Sequence, residues 1–213
     1  MTLSLLWDGL QVNQVATGCL AQHSYLVHNQ ETCMIVDPMR ESAPYLDYLK
    51  HHGLALSHVL MTHVHADFVA GHQQLQQDYK ALSGVTAPIV YGPDQNKISY
   101  DFLSLQDGHE IPLGDKKIKV LHTPGHTIES VCYLVDGKAI LTGDTLFLGD
   151  VGRPDLAQGT DSLMTKEKMA SLMYSSVQKL KQLDDSVVVL TGHGSGSPCG
   201  KNIQGGTHCT IGG

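Results

Sequence analysis

The amino-acid sequence predicts an α+β domain in which two β-sheets pack face to face beneath covering helices. Three observations lead there. Short apolar, β-branched runs of strand length recur along the 213 residues, bounded by turn signals. Stretches with helical signals lie between them. The apolar runs end repeatedly in loops of small or turn-forming residues that each present a histidine or an aspartate. Chemistry delivered from several strand ends suits layered sheets covered by helices.

Taken in order, Ser24 to Val27 and Cys33 to Val36 read as strands turned at Asn29-Gln30, and Asp37-Pro38 breaks the second. Ala43 to His52 reads as a helix stopped by Gly53, and Ser57 to Met61 as a buried strand too short for a helix. Val69 to Leu82 looks helical, with a glutamine-rich outer face. Pro88 to Tyr91, Glu110 to Leu113, Lys117 to His122, Ser130 to Val135 and Ala139 to Thr142 are strand-like, the last two joined by an Asp136-Gly137 hairpin turn. Met169, Leu172, Met173, Val177, Leu180 and Leu183 follow helical spacing on one face, and Tyr174 is expected in the core with them. Val187 to Leu190 is a final strand running into Thr191-Gly192-His193-Gly194. Residues 1–195 are therefore expected to form one domain. Residues 196–213 read as a glycine-rich tail or linker, since seven of the last twenty residues are glycine.

Composition narrows the function classes. No apolar run reaches membrane-span length, and residues 1–10 lack the charged and apolar segments of a secretory signal. A formal net charge of -7 without a basic cluster argues against nucleic acid as a partner. Five scattered cysteines with no CxxC pair point to a reducing, cytoplasmic setting rather than a disulfide framework. Of the thirteen histidines, His51, His52 and His58 read as surface or helix-end residues, and Cys33 and Cys132 as core thiols.

The run Thr62-His63-Val64-His65-Ala66-Asp67-Phe68 follows an apolar strand and crowds three polar ligand-type residues into five positions. Thr123-Pro124-Gly125-His126-Thr127, Thr142-Gly143-Asp144-Thr145 and Thr191-Gly192-His193-Gly194 repeat the pattern. One such histidine is ordinarily a surface or satisfied core residue. Four strand ends presenting the same chemistry suit a divalent zinc, iron or manganese ion.

These motifs resemble the metallo-β-lactamase superfamily. Thr62 to Phe68 matches its H-x-H-x-D-H signature except at the last position, and His126, Asp144 and His193 match the later ligand motifs in order. The resemblance covers roughly residues 10–195. It implies an αββα sandwich with the metal site along one edge of the paired sheets. In two-metal hydrolases of that superfamily, such as glyoxalase II, one metal takes the positions of His63, His65 and His126. The other takes those of Asp67, residue 68 and His193, with the Asp144 position bridging. Phe68 cannot ligate a metal and puts an apolar ring where a second ion would sit.

A finer resemblance, to persulfide dioxygenases of the bacterial type fused to rhodanese domains, is carried by His63 to Val69, Gly143 to Leu156 and Gly196 to Asn202. It implies one Fe(II) per chain on a 2-His-1-carboxylate set, His63, His126 and Asp144. His65, Asp67 and His193 would orient ligands or bound water. The spacing leaves open a four-ligand set that includes His65. The implied reaction oxidises a low-molecular-weight thiol persulfide, such as glutathione persulfide, with O2 to sulfite and free thiol. That is a step of sulfide detoxification.

Arg153 is read either as a clamp on a substrate carboxylate or as a tie within its own loop to Asp150 or Asp155. Cys199 is weighed as an acceptor of sulfane sulfur against an idle thiol, and Cys19 in the same way. The fused proteins continue into sulfurtransferase domains beyond a segment like Thr210-Ile211-Gly212. The chain is thus read as a stand-alone relative or a piece of a fusion, with a rhodanese sulfurtransferase as a conceivable partner and the homo-oligomeric state open. The alternative function is a zinc-dependent thioester hydrolase of the glyoxalase II (hydroxyacylglutathione hydrolase) type. A third is a non-catalytic metal- or sulfur-sensing module.

Overall fold

The first half of the chain builds one mixed sheet. A computed structural model describes residues 2–18, 21–93, 98–156 and 165–213. Strands β1 (Leu3–Trp7), β2 (Leu10–Ala16), β3 (His23–His28) and β4 (Thr32–Val36) form an antiparallel meander. Helix α1 (Ala43–His52) then crosses over to β5 (Ala55–Leu60), and α2 (His72–Ser83) leads to β6 (Ile89–Tyr91) and β7 (Leu103–Ser104). Strands β4 to β7 pair in parallel. Parallel neighbours need a crossover, which the first two helices supply for β5 and β6.

The second sheet follows the same logic. Strands β8 (Glu110–Leu113), β9 (Lys116–His122), β10 (Val131–Val135) and β11 (Ala139–Gly143) are antiparallel. After a small hairpin of β12 (Leu146–Phe147) and β13 (Asp150–Val151), helix α3 (Lys166–Leu180) crosses to β14 (Val188–Thr191), which lies parallel to β11. The edge strand β15 (Cys209–Thr210) pairs antiparallel with β14. The stretch expected as tail or linker thus adds an edge strand. Cys199 and Ile203 within it pack on Phe147.

Strand alternation explains the layering. Tyr25, Val27, Met34, Val36 and Leu60 of the first sheet meet Val120, Tyr133 and Leu141 of the second in the central core. Their neighbours Leu26, Cys33, Ile35 and Val59 point the other way, against Tyr45, Leu49 and Leu75 of α1 and α2. Leu121, Cys132, Ile140 and Val189 face outward on the second sheet and pack with Leu180 of α3. Each fully buried aliphatic side chain contributes about 1.5–3 kcal/mol relative to exposure. The architecture is the αββα sandwich.

Helix α1 has the bounds expected of it, with Pro44 in its first turn, basic residues in its last turn and Gly53 closing it at φ 66°. Helix α2 begins three residues later than its apolar pattern suggests, because the Gly71 amide donates to the Pro38 carbonyl (2.8 Å) and residues 69–71 belong to the loop. Tyr174 is not core but 68% exposed. It lies one residue, about 100° of helix rotation, off the buried stripe of Met169, Met173, Ser176 and Leu180. Leu183 falls beyond the end of α3 and packs there, partly buried. His58 is not a surface residue but half-buried in β5. The hairpin β1–β2 has no counterpart in the sequence-based expectations, since polar residues interrupt its apolar alternation.

Candidate metal centre

The ends of β4, β5, β11 and β14 meet along one edge of the sandwich. Asp37 follows β4, His63 and His65 follow β5, His126 lies between β9 and β10, Asp144 follows β11 and His193 follows β14. Cross-sheet hydrogen bonds lock that edge. Val131 N donates to Thr62 O (2.9 Å), the Tyr133 hydroxyl to Met61 O (2.7 Å) and the Tyr25 hydroxyl to Thr191 O (2.7 Å). Two glycines permit the approach. Gly143 turns at φ +49° against Thr62, and a Cβ on Gly192 would lie 2.6 Å from Asp144 Oδ1.

Three donors converge at the centre. Asp144 Oδ2 lies 3.8 Å from His63 Nε2 and 3.6 Å from His126 Nε2, and all three residues are buried. The outer nitrogens of both rings are engaged elsewhere. The Thr62 hydroxyl donates to Asp37 Oδ2 (2.6 Å) and so accepts from His63 Nδ1–H (2.9 Å). His126 Nδ1–H donates to the Arg153 carbonyl (3.1 Å). Both rings therefore turn an Nε2 lone pair toward Asp144. Burial, reinforced by His65, pulls the His63 pKa down to about 3, which leaves the ring neutral and able to ligate at pH 7.

Asp144 Oδ2 is buried with no hydrogen-bond partner. A buried carboxylate oxygen without a donor is costly, and a cation shared with the two Nε2 atoms relieves it. Donors about 2.1 Å from one ion stand roughly 3–3.6 Å apart, close to the separations here. These residues fit one divalent ion.

The remaining polar residues form a network around that set. His193 donates from Nδ1 to Asp144 Oδ1 (2.8 Å), and its Nε2 lies 2.8 Å from Asp67 Oδ2, within ion-pair range without hydrogen-bond alignment. Burial works against its charge, but Asp144 and Asp67 outweigh it and raise the pKa to about 10, so His193 is an imidazolium between two carboxylates. Burial likewise pushes the Asp144 carboxyl up, and the hydrogen bond and charge of His193 hold it well below the usual range. Asp67, His193 and Cys199 also bring donor atoms within 4.8 Å of one another. In that group, however, both His193 nitrogens already face carboxylates. The Cys199 thiol is pushed up by burial and then by Asp144, which disfavours a thiolate ligand.

His65 brings its Nε2 to 3.0 Å from Asp37 Oδ1, within ion-pair range without hydrogen-bond alignment, and its Nδ1 is also buried without a partner. Its ring packs on His63 (centroids 4.1 Å) and on Phe68 (4.4 Å). Asp37 also accepts from the Thr62 amide (2.9 Å), and it adopts a positive φ of 47°. Sequence reasoning took Asp37 only as a strand breaker. The overlooked signal is an aspartate at a strand end, the same pattern that singled out Asp144.

Arg153 forks onto Asp155 (Nε to Oδ1 3.1 Å, Nη2 to Oδ2 2.6 Å), the loop-tying arrangement rather than a free clamp. Cys199 is buried with its Sγ 3.7 Å from Asp67 Oδ2, facing the centre. Cys19 lies outside the described residues. No helix among the described residues is long and apolar enough to cross a membrane.

A buried His/Asp site at the edge of an αββα sandwich defines a class of metal-dependent enzymes. The chain belongs to the metallo-beta-lactamase superfamily, whose family model matches residues 17–193. A hydroxyacylglutathione hydrolase from Photobacterium profundum is 34% identical over 170 residues, 79% of this chain and 60% of its own length. The chain thus spans about three-fifths of the curated relatives it matches. A metallo-beta-lactamase from Staphylococcus aureus subsp. aureus COL superposes with a TM-score of 0.82 at 32% identity, covering 96% of this chain and 61% of that one. ETHE1 from Myxococcus xanthus does so with 0.75 at 28% identity, covering 94% and 79%.

Proposed function

We propose that this chain is a mononuclear non-haem iron dioxygenase acting on a low-molecular-weight thiol persulfide. The balanced reaction is RSSH + O2 + H2O → RSH + sulfite + 2 H+. The observation that carries the reading is Phe68. Its ring packs on His65 where a two-metal site of this superfamily would place a ligand, and His193 is spent between Asp67 and Asp144. His63, His126 and Asp144 then remain as a 2-His-1-carboxylate set.

Fe(II) held by those three residues would supply the redox chemistry of O2, which no side chain performs. The chain's own groups do the rest. Thr62 and the Arg153 carbonyl fix the ligand tautomers, and Asp37 buttresses His65. His193 holds Asp144 in place through Oδ1 and keeps a proton beside Asp67.

The second reading is a zinc thioester hydrolase of the hydroxyacylglutathione hydrolase type. The names of the curated relatives at 32–35% identity support it more directly than they support oxygen chemistry. Both readings accept a glutathione-derived substrate. Metal analysis of anaerobically purified protein, with O2 uptake on glutathione persulfide beside hydrolysis of S-lactoylglutathione, separates them. The dioxygenase reading expects iron near one per chain with O2 uptake. Zinc with thioester turnover and no O2 uptake overturns it.

A further inference from the structure

We propose that Glu129 is a positioning residue of the metal centre, holding the backbone of His63 in place relative to His126. The proposal rests on the reading of His63, His126 and Asp144 as ligands of one ion, and is independent of which reaction that ion serves. Glu129 is buried, and its Oε1 accepts from the Val64 amide (3.1 Å).

The two peptide groups that flank His63 are each gripped from the second sheet. The one before it is held where Val131 N donates to Thr62 O (2.9 Å), and the one after it where Val64 N donates to Glu129. A peptide group is planar, so fixing the planes on both sides of one Cα fixes that residue's φ and ψ. The His63 ring is then left with its side-chain torsions, which the bond between Nδ1 and the Thr62 hydroxyl restrains.

Both grips come from one short segment. Glu129 and Val131 lie just beyond His126 in the chain, and bonds from Thr123 N to Ser130 O (2.9 Å) and from Thr127 N to Ser130 Oγ (3.2 Å) stiffen the loop that carries them. A shift of His63 therefore has to carry the His126 loop with it. Gly92, just past β6, makes room for this seat, since a Cβ there would lie 2.6 Å from the Glu129 carbonyl oxygen. The Val131 grip is backbone to backbone. The Glu129 grip depends on its side chain, so substitution at that position releases one plane only.

Cobalt(II) tests this without turnover, because its visible absorption reports the geometry of its ligands. The apo chain would be titrated with Co(II) against a competing chelator, beside Glu129→Gln, Glu129→Asp, Glu129→Leu and His126→Ala, with a urea midpoint for each. Glu129→Gln keeps a carbonyl oxygen within reach of the Val64 amide and should match the unsubstituted chain in affinity and band. Glu129→Asp keeps the carboxylate but falls a methylene short, and Glu129→Leu removes the acceptor. Both should bind Co(II) about 10–100-fold more weakly, as loss of a ligand's supporting partner does, with an altered band. Should Glu129→Leu fail to fold, Glu129→Asp carries the test alone. Unchanged affinity and band in the folded variants, with only the urea midpoint lowered, would overturn the proposal. So would a Glu129→Gln protein as weak as Glu129→Asp, which would assign the effect to charge. His126→Ala separates the underlying reading. Binding unchanged there removes the ligand set and the proposal with it, whereas binding lost there but kept in Glu129→Asp and Glu129→Leu removes only the role of Glu129.

Discussion

The Thr62 hydroxyl donates to Asp37 at 2.6 Å and accepts from His63 Nδ1 at 2.9 Å, so a buried aspartate sets the tautomer of a candidate metal ligand through one intervening hydroxyl. Thr62→Val removes that relay with little change in volume. Loss of such an orienting partner weakens metal binding by about 10–100-fold. Competitive metal titration should show that loss in Thr62→Val and recovery in Thr62→Ser. Equal affinities in all three proteins would mean that the relay does not orient His63.

Phe68→His restores the missing position of the superfamily signature. If the ring is what excludes a second ion, bound metal should rise from one toward two per chain by elemental analysis. An unchanged ratio would place the exclusion in the engagement of His193 by Asp67 and Asp144 instead.

His193→Gln removes the cation between two carboxylates while leaving a side chain of similar reach. Breaking a buried ion pair destabilises by about 3–5 kcal/mol, and the urea midpoint should fall accordingly. Because His193 is proposed to position Asp144 rather than to ligate, bound metal in the folded variant should stay near one per chain. Loss of the metal at unchanged stability would make His193 a ligand.

His72, at the start of α2, hydrogen-bonds through Nε2 to the Tyr100 hydroxyl (2.6 Å), and burial lowers its pKa to about 4. Between that value and about 6.5, the unperturbed histidine value, the unfolded chain holds the proton and the folded one does not. Stability is therefore lost as pH falls through this window and changes no further below about pH 4. His72→Gln should flatten that acid limb in urea titrations taken from pH 7 to 4. An identical slope would assign the proton uptake to other buried histidines.

Local chemistry made much of the fold legible. Pro44, the basic last turn and Gly53 bound α1 to the residue, and Asp136-Gly137 marked the β10–β11 turn at a positive φ at both positions. Tyr174 and the start of α2 were misjudged for a shared reason. A side chain's place on a helix, or outside it, is decided by what packs across from it, as Met173 and the Pro38 carbonyl show. At the centre, His63, His126 and Asp144 were legible because each follows a strand with turn residues around it. Asp37 was not, because its partners Thr62 and His65 arrive from the next strand over.

The sequence by itself determined which donors are available, and it puts phenylalanine, which offers no donor atom, at position 68. Only the tertiary structure decided what those donors do. His193 turns to Asp144 across 49 residues of chain, and the Cys199 thiol meets Asp67 across 132. Contacts of that separation leave no local pattern, since they form only when two sheets pack and bring their strand ends to one edge. That packing sets the His193 ring between the Asp67 and Asp144 carboxylates and leaves Asp144 Oδ2 buried without a hydrogen-bond partner, beside the Nε2 atoms of His63 and His126.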